Sequence, residues 1–313
     1  MAMFTSTVTE TFTRAKRALL PVAVLTLTLL LTACGSSSTA SAGSGPLRVV
    51  AAENFWGNIL TQIGGDAISV TSIVSDPNVD PHEYESSSSQ AAAIAAAGLV
   101  VVNGAGYDDF ADKIMAASPN SKRGVIKVAS VLGVSGDDPN PHLWYSPTYV
   151  VTAAKTFEQR LSQLLPAHAA SFASNLQTFL SAYQSQVVTV IDQIKAGYAG
   201  TAIAYTERVP GYLIQAAGLE LGIPASFAQS IEDGDDPAPS DEASFETALR
   251  QHTVKVLLYN QQVTSPATSH LRELATSDGV PVVGVTETMP PTATSFQSWQ
   301  ASQATQILAA LRG

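Results

Sequence analysis

Residues 167–195 read AHAASFASNLQTFLSAYQSQVVTVIDQIK. Within this stretch Phe172, Leu176, Phe179, Leu180, Tyr183, Val187, Val190, Ile191 and Ile194 recur at steps of three and four, which is the apolar stripe of one amphipathic helix. At 1.5 Å per residue it would run for roughly 43 Å. Pattern alone makes a peripheral helix of one domain and a strut between two equal readings. A single stiff strut would permit less hinge motion than paired flexible linkers.

On both sides of the stretch, short β-branched runs alternate with helical patterns. The candidate strands are 47–52, 68–74, 99–102 and 125–129 before it, and 201–206, 254–259 and 281–286 after it. Continuous apolar strands separated by helices specify parallel sheets covered on both faces. The expected fold is therefore α/β, with two lobes whose parallel sheets are flanked by helices. The expected layout is an N-terminal lobe over 47–166, a linking helix over 167–198 and a C-terminal lobe over 199–313.

The 313 residues are 45% hydrophobic and 13% charged, which excludes a disordered or fibrous chain. Sixteen Lys and Arg against 26 Asp and Glu give a net charge of −10. That balance repels phosphate backbones and anionic lipid, so no nucleic-acid partner is expected and cations are the better guests. The single cysteine, Cys34, rules out a disulfide framework and any cysteine-built metal or iron–sulfur site.

Arg14, Lys16 and Arg17 precede the apolar run 18–31, whose 14 residues fall short of the roughly 20 that span a bilayer. Residues 1–33 read as a signal peptide. Leu31-Thr32-Ala33-Cys34 resembles the bacterial lipobox, with cleavage before Cys34 and lipid added to its thiol. Residues 34–46 would then be the lipidated cysteine and a Gly/Ser-rich tether reaching roughly 18 Å as a coil. Cleavage leaves 13 basic and 25 acidic side chains, a net charge of −12. The expected location is the extracytoplasmic face of a bacterial cell membrane, with the folded body hanging from Cys34 as a monomer.

Two of the five histidines share a context, Asp80-Pro81-His82-Glu83 and Asn140-Pro141-His142-Leu143. Each proline stiffens the backbone before the imidazole and turns its predecessor away from helix, which suits a preorganised ligand. His168, His252 and His270 have no such context and read as surface or structural residues. In the second half the strands run into Glu207, Asn260 and Glu287. Ligands of open α/β sheets collect at the carboxyl ends of strands, so these side chains could converge on one crevice. Two imidazoles and two carboxylates would make a nitrogen and oxygen site suited to zinc, manganese or iron(II). The acidic run Glu232-Asp233-Gly234-Asp235-Asp236 reads as a solvated loop. The chain carries no Gly-rich phosphate loop, His-Glu-x-x-His helix or Gly-x-Ser-x-Gly elbow.

Several motifs together resemble the zinc and manganese solute-binding lipoproteins that serve bacterial ATP-binding-cassette importers. They are VSDPNVDPHEYE from Val74 to Glu85, LVVVNG from Leu99 to Gly104, PHLWYSP from Pro141 to Pro147, Thr206-Glu207 followed by Gly211-Tyr212, and VGVTE from Val283 to Glu287. The match begins near Leu47 and runs to the C-terminus. It implies two α/β lobes joined by one long helix, with the metal in the cleft between them. The ligands it implies are His82 and His142 from the first lobe, and Glu207 and Glu287 from the second. Asn260 is the reserve, either as a ligand or just behind one. Asp80 and Glu53 would orient the histidines by accepting their remaining N–H groups. Many zinc members carry histidine in the third position, whereas Thr206-Glu207 is similar to the manganese type.

The resemblance also implies a permease and its cytoplasmic ATPase as partners, Zn2+ or Mn2+ as transported ligand with Fe2+ behind them, and no enzymatic activity. Two other readings compete with this one. A zinc-dependent hydrolase needs an open coordination position and a general base, and four protein ligands would close the site. A siderophore-type receptor also uses a single linking helix, but needs an aromatic or basic cleft, and aromatic content is only 7%.

Overall fold

A computed structural model describes residues 45–76, 84 and 86–313. The signal peptide, Cys34 and most of the tether lie outside the described residues, as do Asp80 and His82. The first four strands are β1 (Leu47–Glu53), β2 (Ile68–Val74), β3 (Leu99–Val102) and β4 (Gly124–Lys127), all parallel in the order β2-β1-β3-β4. The second sheet repeats the plan with β5 (Ala202–Tyr205), β6 (Glu220–Leu221), β7 (Leu257–Asn260) and β8 (Val282–Val285), in the order β6-β5-β7-β8. All four residues of β3 and of β7 are buried, as strands covered on both faces require.

The two parallel sheets expected from the apolar runs are present, with small differences at their margins. Two-residue β6 was not among the expected strands, being too short to leave a pattern. The fourth run stops at Lys127 because Val128–Leu132 turns into a short helix, closed by Gly133 in the left-handed region.

The long helix is also there. Helix α6 (Ala169–Tyr183) passes through a π-helical stretch (Gln184–Val188) into α7 (Thr189–Tyr198), spanning 15, 5 and 10 residues. The Thr189 hydroxyl donates to the Gln184 carbonyl, five residues back, at 3.0 Å, which suits the wider turn. Seven of the nine stripe residues are buried, and Leu180 and Val190 pack at the margin. On the first lobe α6 lies against α1 (Asn54–Gly64) and α5 (Pro147–Leu164). The π stretch and α7 lie against the C-terminal helix α12 (Phe296–Arg312).

Helix α12 then returns to the first lobe along a stripe of amides on α1. Asn54, Asn58 and Gln62 stand four residues apart and so share one helix face. The Asn54 amide donates to the Met289 carbonyl at 2.9 Å and accepts from the Met289 N–H at 3.0 Å. Asn58 Oδ1 accepts from the Phe296 N–H at 2.9 Å, and the Gln62 and Gln297 amides exchange hydrogen bonds at 2.9 and 2.8 Å. Beneath this seam the apolar core is continuous from lobe to lobe, with Phe55 stacked on Trp144 at 3.9 Å and Phe296 packed on Phe179, Tyr183 and Trp299.

Phe296 is fully buried where α12 meets the linking helix. Phe296→Ala is expected to lower unfolding free energy by about 3–5 kcal/mol, measured by urea titration of the metal-free protein.

Candidate metal site

Both sheets change direction next to their first strands, between β1 and β3 and between β5 and β7. Such switch points open a crevice at the carboxyl ends of the strands. Glu53 and Asn103 stand there in the first lobe, and Glu207, Asn260 and Glu287 follow or end β5, β7 and β8 in the second.

His142 reaches the crevice from the loop before the short turn Leu143–Tyr145 and is fully buried. Its turn is nailed to the end of β3, since the Asn103 amide donates to the Pro141 carbonyl at 2.8 Å and Asn103 Oδ1 accepts the Trp56 indole N–H at 3.1 Å. Asn140 decides the tautomer. Asn140 Oδ1 accepts the His142 backbone N–H at 3.0 Å, and Asn140 Nδ2 donates to the Arg208 carbonyl at 2.9 Å, so the orientation of the amide is fixed by two backbone groups. His142 Nδ1, 2.8 Å from the same Oδ1, must then carry the proton. The lone pair of a neutral ring is left on Nε2, the atom facing Glu287 Oε2 at 3.4 Å. Two electron-pair donors at that separation hold a proton or a cation between them.

The carboxylates come together through Asn260. Its Oδ1 accepts the Gln262 N–H at 3.1 Å, which turns Nδ2 toward the acids. Nδ2 donates to Glu207 Oε2 and, at 2.8 Å, to Glu287 Oε1. The Asn260 N–H in turn donates to Thr206 Oγ1 at 3.0 Å, bracing the two strand ends. Glu287 is held further by the Tyr107 hydroxyl, which donates to Oε2 at 2.9 Å, and by Gln262 Oε1, which accepts its backbone N–H at 2.6 Å. Glu207 and Glu287 are buried to 1% and 0% exposure, so two carboxyl groups share one water-poor place, where ionising both is costly without a cation.

The structure thus brings His142, Glu207, Glu287 and Asn260 together, while His82 and Asp80 lie outside the described residues. The amide orientation directs Asn260 Nδ2 at both acids and its oxygen at the Gln262 N–H. Glu53 is placed differently from expectation for His142, whose N–H goes to Asn140. Glu53 faces Asp108 instead. Burial first, and the Asp108 carboxylate second, push the Glu53 carboxyl well above the ordinary glutamate range. Asp108 is raised too, by burial, against the N–H groups of Asn103 and Gly104 that it accepts at 2.5 and 2.8 Å. His168, His252 and His270 are exposed, as their context suggested. Asn140, Tyr107 and Gln262 were missed as site residues. Asn140 stood in the quoted Pro-His context, but its role needs a partner from the other lobe.

Residues 49–310 match the family described as zinc-uptake complex component A, periplasmic. Manganese-binding lipoprotein MntA of Bacillus subtilis is 25% identical over 166 residues, which is 51% of this chain and 54% of that protein. The manganese ABC transporter substrate-binding lipoprotein scaA of Streptococcus gordonii is 24% identical over 264 residues, covering 79% and 83% of the two chains. The chain spans little more than half the length of several curated relatives that it matches. Among solved structures, the manganese-bound periplasmic metal-binding protein of Candidatus Liberibacter asiaticus has a TM-score of 0.68 at 19% identity, over 84% of this chain and 98% of that one. FpvC of Pseudomonas aeruginosa, in complex with Mn2+, has a TM-score of 0.69 at 22% identity, over 85% and 98%. These two likenesses establish the two-lobed fold.

The Glu53 proton is bound more tightly in the folded than in the unfolded chain. The stability that this group contributes is therefore full at low pH and is lost as pH rises from about 4.3, the ordinary glutamate value, toward the raised one. Glu53→Gln is neutral at every pH, so its melting temperature should gain on that of the wild type between about pH 4.5 and pH 8. A difference that does not change with pH in paired thermal melts would mean that Glu53 is ionised in the fold.

Proposed function

Because this chain belongs to the family of periplasmic zinc-uptake complex A components, we propose that it captures a divalent transition metal outside the cytoplasm and hands it to a membrane permease driven by a cytoplasmic ATPase. The observation that carries the reading is the pinned His142 tautomer, whose Nε2 lone pair faces a buried pair of carboxylates bridged by one amide. Buried carboxylates in such proximity are stabilised by a cation, and imidazole plus carboxylate is a donor set for zinc, manganese or iron(II). His142, Glu207 and Glu287 would bind the cargo directly. His82 would complete the set from the Asp-Pro-His turn.

The cargo is zinc or manganese. Carboxylate oxygens are hard donors that can bind through both atoms and raise the coordination number, which suits manganese, and the relatives from Bacillus subtilis and Streptococcus gordonii are named for that metal. Intrinsic affinity nevertheless rises from manganese toward the later metals, so the same ligands would take zinc firmly. Cys34 would carry the lipid and hold the protein at the membrane, in line with relatives named as lipoproteins. Ligands supplied by both lobes would bind the ion as the lobes meet and release it as they part.

Untagged protein purified without added metal should carry about one equivalent of zinc or manganese by elemental analysis. His142→Ala should lose about 100-fold or more in affinity, by competition with a chromophoric chelator, while its far-ultraviolet circular dichroism is unchanged. Wild-type affinity in that variant would remove His142 from the ligand set. Glu207→His weakens both metals by removing a negative charge but should move the zinc-to-manganese affinity ratio toward zinc. An unmoved ratio at fixed pH and salt would place Glu207 outside the ligand set.

A further inference from the structure

Asn140 makes four hydrogen bonds that join the two lobes through the imidazole. Its Oδ1 takes both the backbone N–H and the Nδ1–H of His142, at 3.0 and 2.8 Å. Its Nδ2 donates at 2.9 Å to the carbonyl of Arg208, the residue after Glu207 in the second lobe, and its own carbonyl accepts the Tyr212 hydroxyl at 3.0 Å. Two residues earlier, Asp138 receives a two-pronged ion pair from the Arg208 guanidinium at 2.9 and 3.0 Å, while the other side of that guanidinium holds Glu232 at 2.8 and 2.9 Å. The second lobe leaves room for this approach. A methyl group built on Gly211 would stand 2.9 Å from Asn140 Nδ2, closer than carbon and nitrogen tolerate, and the short side chain is already tied at both ends of its amide.

We propose that Asn140 is a lobe-coupling positioning residue of the metal site: one carboxamide fixes the His142 tautomer and ties that ring to the backbone beside Glu207 in the opposite lobe. The inference rests on the reading of His142 and Glu207 as ligands. Its physical content is that the acceptor end of the amide aims the imidazole while the donor end ties that aimed ring to the opposite lobe. Separation of the lobes then frees the ring and weakens the metal in the same motion. A carboxamide is the group this job requires, because it offers an acceptor to one lobe and a donor to the other. Aspartate would keep the acceptor for His142 but set a carboxylate oxygen against the Arg208 carbonyl.

The test uses the metal alone, with cobalt(II) as a spectroscopic stand-in and a chelator to time release. Asn140→Ala should lower zinc and manganese affinity about 10- to 100-fold and alter the cobalt(II) absorption spectrum, because the ring loses its orienting acceptor. Asn140→Asp should restore the wild-type spectrum, a rescue that a merely structural role would not give. Gly211→Ala leaves every ligand and every charge in place, so its spectrum should match the wild type while release quickens about three- to tenfold, the effect of losing one hydrogen bond. Tyr212→Phe removes only a hydroxyl and should shift release in the same direction if Gly211→Ala folds poorly. A wild-type spectrum and release rate in Asn140→Ala, or wild-type release in both second-lobe variants, would overturn the proposal. A wild-type protein that binds no divalent metal would instead overturn the functional reading on which it rests.

Discussion

Two carboxylates cannot be buried side by side without donors or a cation to hold them, and the arrangement of the second lobe follows from that requirement. Glu207 and Glu287 follow β5 and β8, the strands on either side of β7, and Asn260 at the end of β7 stands between them with both hydrogens of its amide engaged. That amide works only because Gln262 N–H holds its oxygen, and Gln262 can do so only because the backbone has just left β7. Thr206, beside Glu207, closes the bracket from the next strand. The order β6-β5-β7-β8 thus places the fixed charges of the site by placing the ends of three strands.

The first lobe answers with an imidazole and a phenol. His142 and Tyr107 both reach Glu287 Oε2, and their rings pack against Trp144, which stacks in turn on Phe55 in the shared core. Site geometry and lobe packing are therefore one structure. The linking helix supports this from behind, with α6 against first-lobe helices and α7 against α12. The π-helical stretch between them adds width to one turn, which lets a single continuous stripe serve two sets of neighbours.

Much of the architecture was legible because burial of long apolar runs leaves a mark in sequence. The strands around Val49, Val101, Leu258 and Val283 and the stripe from Phe172 to Ile194 are such runs. Glu207, Asn260 and Glu287 were legible as candidates because each directly ends or follows one of them. What escaped depends on partners distant in the chain. Asn140 finds the acceptor for its amide N–H at the Arg208 carbonyl, 68 residues on, and Tyr107 finds Glu287 180 residues away. No spacing within one strand or helix encodes those meetings. Glu53 does not orient His142, whose ring N–H goes to Asn140, and only the folded neighbourhood brings Glu53 to Asp108. Two-residue β6 and the π stretch are too short to carry a period of their own.

The amide seam on α1 has a consequence for the medium in which such a protein works. Asn54, Asn58 and Gln62 hold the returning chain with neutral groups, and no ion pair takes part in those contacts. Dissolved salt screens charges over a Debye length of about 10 Å at 0.1 M but leaves amide hydrogen bonds largely untouched. Acid or alkali within the ordinary range alters none of the seam's members either, since carboxamides do not titrate. The carboxamide seam is thus the part of the lobe contact that stays alike in dilute water and in brine, whereas the Asp138–Arg208 ion pair across the same contact answers to salt.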